Sequence, residues 1–175
     1  MRTFSRWMPA SPPPKISWAG WLILAGLGAS AVPSVVRHPG AAIVVLAALG
    51  TYVWNAHRSE LRRLKTQTAA RPGESICTFA RGLPRTVDPW IVRAVSDALR
   101  PYVTYPGGRM PLRAADSFTA DIRMDPDDLE DIVDRLALRT GRSLQGTERN
   151  PYVGRVATVG DLVLFLNEQP RASAT

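Results

Sequence analysis

The sequence predicts an all-α protein: two transmembrane helices followed by a small helical bundle. Three observations point there. The first third holds two long uncharged apolar runs, three later amphipathic segments each open on a capping residue, and the excess positive charge is confined to the apolar third. Residues 1–74 carry nine Lys and Arg against two Glu, whereas residues 75–175 carry thirteen Arg against thirteen Asp and Glu. A nucleic-acid-binding domain would bear its basic footprint on the folded part, so the overall charge of +7 does not imply one.

The first run, Ser17–Val36, has twenty residues and no charge. At a rise of about 1.5 Å per residue it spans a hydrocarbon core of about 30 Å. The second, Pro39–Ala56, has eighteen and reaches across with some thinning of the bilayer. Neither run has a polar face, which argues against core helices of a soluble protein. Pro39-Gly40 suits the turn of a hairpin. Arg2, Arg6 and Lys15 precede the first run and Arg58, Arg62, Arg63, Lys65 and Arg71 follow the second, while Arg37 alone stands between. The positive-inside rule then puts both termini and the C-terminal domain in the cytoplasm, anchored at an inner (cytoplasmic) membrane. A signal peptide with its small-residue cleavage motif at Ala29-Ser30-Ala31 is the competing reading of the first run, and it also leaves the domain cytoplasmic and tethered.

The domains read as a cytoplasmic tail (1–15), a transmembrane hairpin (16–56), a basic linker and leading segment (57–84), a helical domain (85–168) and a tail (169–175). In the linker, Arg58–Lys65 extends the second span towards anionic headgroups until Pro72-Gly73 breaks the helix. Asp88 is the N-cap of a helix of about 14 residues, the commonest length class, with Pro89 at its first position, an apolar face of Ile91, Val92, Val95 and Leu99, and Pro101 past its last turn. Asp125 and Pro126 open another, carrying Leu129, Ile132, Val133 and Leu136 and ending at Gly141. Thr158 and Asp161 make a short capping box before Leu162, Val163, Phe165 and Leu166. Residues 102–124 and 142–157 read as long connections, with a short helical turn at Tyr152–Val153. Helices joined in this way form a small antiparallel bundle.

The segments SFTADIRMDPDDLEDIVDRL (117–136), TGRSL (140–144) and VATVGDLVLFL (156–166) resemble, in order and separation, the acyl carrier proteins, over about 80 residues, a usual small-domain size. The resemblance implies a small helical carrier fold in which the Ser after the loop Asp is esterified with 4′-phosphopantetheine. Here Pro126 occupies that position and Arg123 replaces the usual Gly. Proline has no hydroxyl, and Ser117 and Ser143 are too distant to substitute. The resemblance therefore implies a non-carrying domain without cofactor, more similar to an acyl-carrier-like bacterial family of unassigned role. An accessory or atypical carrier in lipid or polyketide metabolism is the alternative.

From Asp116 to Asp134 eight carboxylates face one cation, Arg123. Carrier proteins dock on basic partner surfaces through the corresponding acidic helix, so the resemblance implies a docking face of Asp121, Asp125, Asp127, Asp128, Glu130, Asp131 and Asp134 for a cytoplasmic protein. The other reading is a solvated helix whose first carboxylates complement the positive end of its dipole. A second copy of the chain is a further candidate partner, with Arg81–Arg85 as the basic counter-surface.

Other chemistries find no support. The Asp125–Asp128 stretch fails as a calcium loop because Leu129 stands at a ligand position and Glu130 where Gly is required. His38 and His57 flank a membrane span, and Cys77 has no His in its own domain to activate it. Cys77 is expected to be a buried apolar residue. No enzyme and no metal site are inferred.

Overall fold

The computed structural model describes residues 36–172 and divides the chain into two compact units, one ending at Arg62 and one beginning at Arg63. Within the first unit the dominant feature is the N-terminal part of helix α1, Pro39–Ala69. Its 18-residue apolar window has a mean hydropathy of 1.4, and none of that window is buried. Among the described residues this is the one helix long and apolar enough to cross a membrane. The run at Ser17–Val36, expected as the first span, and the tail 1–15 lie outside the described residues, apart from Val36. Hydroxyls in α1 return to the helix's own carbonyls: Thr51 Oγ1 donates to Ala47 O at 2.8 Å and Ser59 Oγ to Ala56 O at 2.8 Å. The Arg58 guanidinium lies 4.8 Å from the centroid of the Trp54 ring, a cation–π contact.

The second unit starts with the last turns of α1, where Leu64 is buried. Gly73, at φ +73°, takes the left-handed conformation that turns the chain away. Helix α2, Ile76–Arg81, is opened by a capping box between Ser75 and Thr78. Helix α3, Pro89–Ala98, has Asp88 as its N-cap, whose carboxylate accepts from Trp90 N. A one-turn helix α4, Arg100–Val103, follows, so the single helix expected here is bent at Leu99. Pro101 explains the break, since its ring cannot continue an interior helical turn. A short antiparallel hairpin, β1 Thr104–Tyr105 and β2 Gly108–Arg109, follows, two residues to a strand in a mostly helical structure that keeps the expected all-α class. After a π-helical turn over Phe118–Ile122 comes helix α5, Pro126–Thr140. Asp125 caps its start and Gly141, at φ 65° and ψ 38°, its end. Helix α6, Val159–Glu168, opens on the reciprocal Thr158–Asp161 capping box.

Helix α3 is the centre of the bundle and packs against α2, α5 and α6, while α5 also packs against α6. The core is Ile91, Val95 and Leu99 from α3, Ile132 and Leu136 from α5, and Val159, Leu162, Val163 and Leu166 from α6, with Met110 entering from the hairpin side. The start of α6 is laid tightly against residues 114–118: Val159 N donates to Asp116 O at 2.9 Å and Gly160 N to Ala114 O at 2.8 Å. A Cβ at Gly160 would stand 2.9 Å from that same carbonyl, so the position admits no side chain without backbone movement.

Two sequence boundaries move. The folded unit begins at Arg63 and not at 85, because Leu64, Arg71, Phe79 and Leu83 are buried in it. Residues 169–172, expected as part of a tail, are tied to the bundle: Gln169 is buried, Ser143 N donates to Pro170 O at 2.8 Å and Ala172 N to Gly141 O at 3.0 Å. Arg142 donates to Asn167 O at 3.1 Å and Gln169 O at 2.7 Å, supplying partners to carbonyls that the end of α6 leaves open. Burial holds the Arg142 guanidinium below its ordinary pKa, partly offset by Asp88.

Candidate docking face on helix α5

The acidic run from Asp116 to Asp134 separates, in three dimensions, into carboxylates that hold the fold and carboxylates that face outward. Asp116 belongs wholly to the first group. It is 3% exposed, and it takes Arg71 in a two-pronged pair, Nη1 to Oδ2 and Nη2 to Oδ1, each 2.7 Å. Arg113 N adds a third bond to Asp116 Oδ2 at 2.7 Å, and Arg71 Nη1 also donates to Pro111 O at 2.7 Å. A buried carboxylate is tolerated only when a counter-charge and further donors replace its lost water, and here they do.

Asp121 sits in the π-helical turn, apart from the α5 carboxylates, and is half-buried. Its Oδ2 accepts from Ser117 N at 2.9 Å, Gln67 Nε2 lies 3.4 Å from Oδ1, and its carbonyl accepts from Arg63. The end of α1 therefore engages it. Arg123 closes this turn in the left-handed conformation, φ 57° and ψ 44°, with its N–H on Phe118 O. That geometry is one glycine adopts freely and arginine only with strain.

Asp125 accepts from Asp127 N at 3.0 Å as the cap of α5. Pro126 occupies the first helical position, where a missing N–H costs nothing because that group would have no intrahelical partner. Asp128 lies beside Tyr102, whose phenol is held above its ordinary pKa, first by burial and then by that carboxylate.

Asp127, Glu130, Asp131 and Asp134 are all exposed, as is Leu138, 84% exposed at the far end of the same stripe. Asp127, Asp131, Asp134 and Leu138 follow the four- and three-residue spacing that keeps side chains on one side of a helix. Ile132, Leu136, Ala137 and Thr140 take the buried side. The helix dipole favours Asp127 and Asp128 in the first turn, but its influence fades before Glu130, Asp131 and Asp134. Of the basic residues of α5, Arg135 stays beside the stripe, its Nε donating to Asp131 O at 3.0 Å, while Arg139 pairs with Asp97 of α3 at 3.2 Å.

The other candidates have plain positions. Cys77, expected inside, is exposed, because Phe79 takes the core-facing position of the six-residue α2. His38 and His57 are exposed along the first unit. Among the described residues no three His, Cys, Asp or Glu side chains are grouped so as to hold a metal ion. Sequence reasoning missed Arg71, Arg63 and Gln67 as partners of the acidic run, since each sits in a stretch that reads as basic linker. In comparisons with protein-family models, with curated proteins and with solved structures, nothing matches this chain.

Proposed function

We propose that the protein is a membrane-anchored interaction module of the inner membrane. An acyl-carrier-like helical domain that carries no prosthetic group docks a cytoplasmic protein through the outer face of α5. The exposure of Glu130, Asp131 and Asp134 beyond the reach of the helix dipole is the observation that carries this reading. Solvent-facing carboxylates of one sign, with the exposed Leu138 at one end of the stripe, suit electrostatic steering of a basic partner. Asp121 is engaged within the fold, so the working surface narrows to Asp127, Glu130, Asp131 and Asp134, with Asp128 at its edge. Anchoring rests on the apolar length of α1 and the basic residues that follow it. The resemblance at Pro126 supports a module without a carrier hydroxyl.

The test is a crosslinking capture from intact membranes with the wild type and with Asp127→Lys/Asp128→Lys/Asp131→Lys, the two shown to melt alike. A partner held by the wild type and lost by the variant is expected. Identical captures would reduce the acidic stripe to a solvated helix face.

A further inference from the structure

Alongside the acidic stripe, between α5 and the 147–156 connection, runs an open groove of about 450 Å³. Leu129 and Val133 form its α5 wall, Val153 and Val156 the opposite wall, and Phe165 of α6, almost fully buried, reaches it from below. Val153 is 42% exposed, which is high for a branched aliphatic residue facing a concavity. Glu130 and Asp134 stand on the α5 edge, and the residues that line the groove include no Lys or Arg. Asp127 and Asp131 extend the same negative field outward from that edge. An apolar trough with a one-sided acidic rim is complementary to a surface that carries large apolar side chains beside basic ones.

The secondary structure of the occupant follows from what the walls offer. Adding a strand requires an open sheet edge, and among the described residues the only sheet is the two-residue hairpin at 104–109, elsewhere in the fold. A segment laid in this groove must satisfy its own backbone, which a helix does.

We propose that the groove takes an amphipathic, basic helix of a protein partner. Its apolar side chains sit against Val133, Val153 and Phe165, and Lys or Arg of the neighbouring turns pair with Glu130, Asp131 and Asp134. The inference rests on the docking reading of α5 and adds to it the seat and the chemical class of the partner.

The experiment uses the full chain in its own membranes, with a photoreactive benzoylphenylalanine placed at Val153 in one sample and at Asp131 in another. Both positions are expected to capture the same protein, and the peptide joined at 153 to show apolar residues at helical i, i+3, i+4 spacing among Lys and Arg. That peptide, synthesised, should bind the purified full chain at least tenfold more weakly after Val153→Asp, with unchanged melting, and normally after Val153→Ile. Capture at 131 without capture at 153 overturns the groove and leaves the docking face standing. Capture at neither position overturns both. Capture at 153 of a lipid, a second copy of this chain or a segment without the basic amphipathic pattern overturns the assigned occupant.

Discussion

Arg71 and Asp116 form an ion pair inside the second unit, both side chains almost wholly buried, at 7% and 4% exposure. Removing one member of a buried pair leaves an uncompensated charge and typically costs about 3–5 kcal/mol. Arg71→Met is therefore expected to lower the denaturation midpoint severely in a urea titration. Arg71→Met/Asp116→Leu should regain only part of the loss, because Pro111 O and Arg113 N would still lack their partners. The neighbouring pair behaves differently. Glu74 meets Arg113 in an exposed two-pronged contact, with Nε 2.9 and 3.0 Å from its oxygens, and that hydrogen bonding holds its carboxyl below the usual range. A depressed folded pKa means stability that is present above the unfolded value, about 4.3 for Glu, and lost as pH falls through the folded value. Glu74→Gln should thus lower the melting temperature slightly at neutral pH and leave it unchanged at a pH below the folded value, the comparison being made by thermal melts across that window.

At the scale of elements, the caps were the legible part of the fold. Asp88, Asp125, Thr158 and Gly141 stand where local hydrogen-bonding rules put them, because a cap is decided within four residues. The hairpin and the π-helical turn were not legible, since each is fixed by what it packs against, whereas the break at Leu99 follows from Pro101. The candidate site divides the same way. The acidic run was visible as a cluster, but its partition was hidden, because the partners of Asp116 and Asp121 come from 45 and 58 positions earlier in the chain. The π-helical turn carries a prediction of its own. Arg123 holds its left-handed end, a strain of about 1–2 kcal/mol for a non-glycine residue, whereas glycine brings an entropic cost of about 0.5–1 kcal/mol. Arg123→Gly should therefore stabilise the protein by about 0.75 kcal/mol, the difference between the midpoints of those two terms, seen as a small rise in the denaturation midpoint. A fall in the midpoint would mean that the Arg123 side chain contributes more than its backbone costs.

Seen whole, the second unit is larger than its run of amphipathic helices suggests, because the end of α1 and the whole of α2 are built into it. Two fragments separate these views. A fragment of residues 63–175 keeps Leu64, Arg71 and Phe79 and is expected to unfold in one cooperative transition. A fragment of residues 85–175 loses them, leaves Asp116 buried without its cation, and is expected to melt without a sharp transition in circular dichroism. Equal cooperativity in the two would place the boundary back at 85. The Arg71–Asp116 pair also bears on how this sequence can change over generations. A chain that loses either residue first passes through a form less stable by about 3–5 kcal/mol, so the two positions are expected to be inherited as one character. Descendants should keep both or exchange both, together with whatever answers Pro111 O and Arg113 N, and a set of relatives would display positions 71 and 116 changing in step while the exposed carboxylates of α5 drift with their partner.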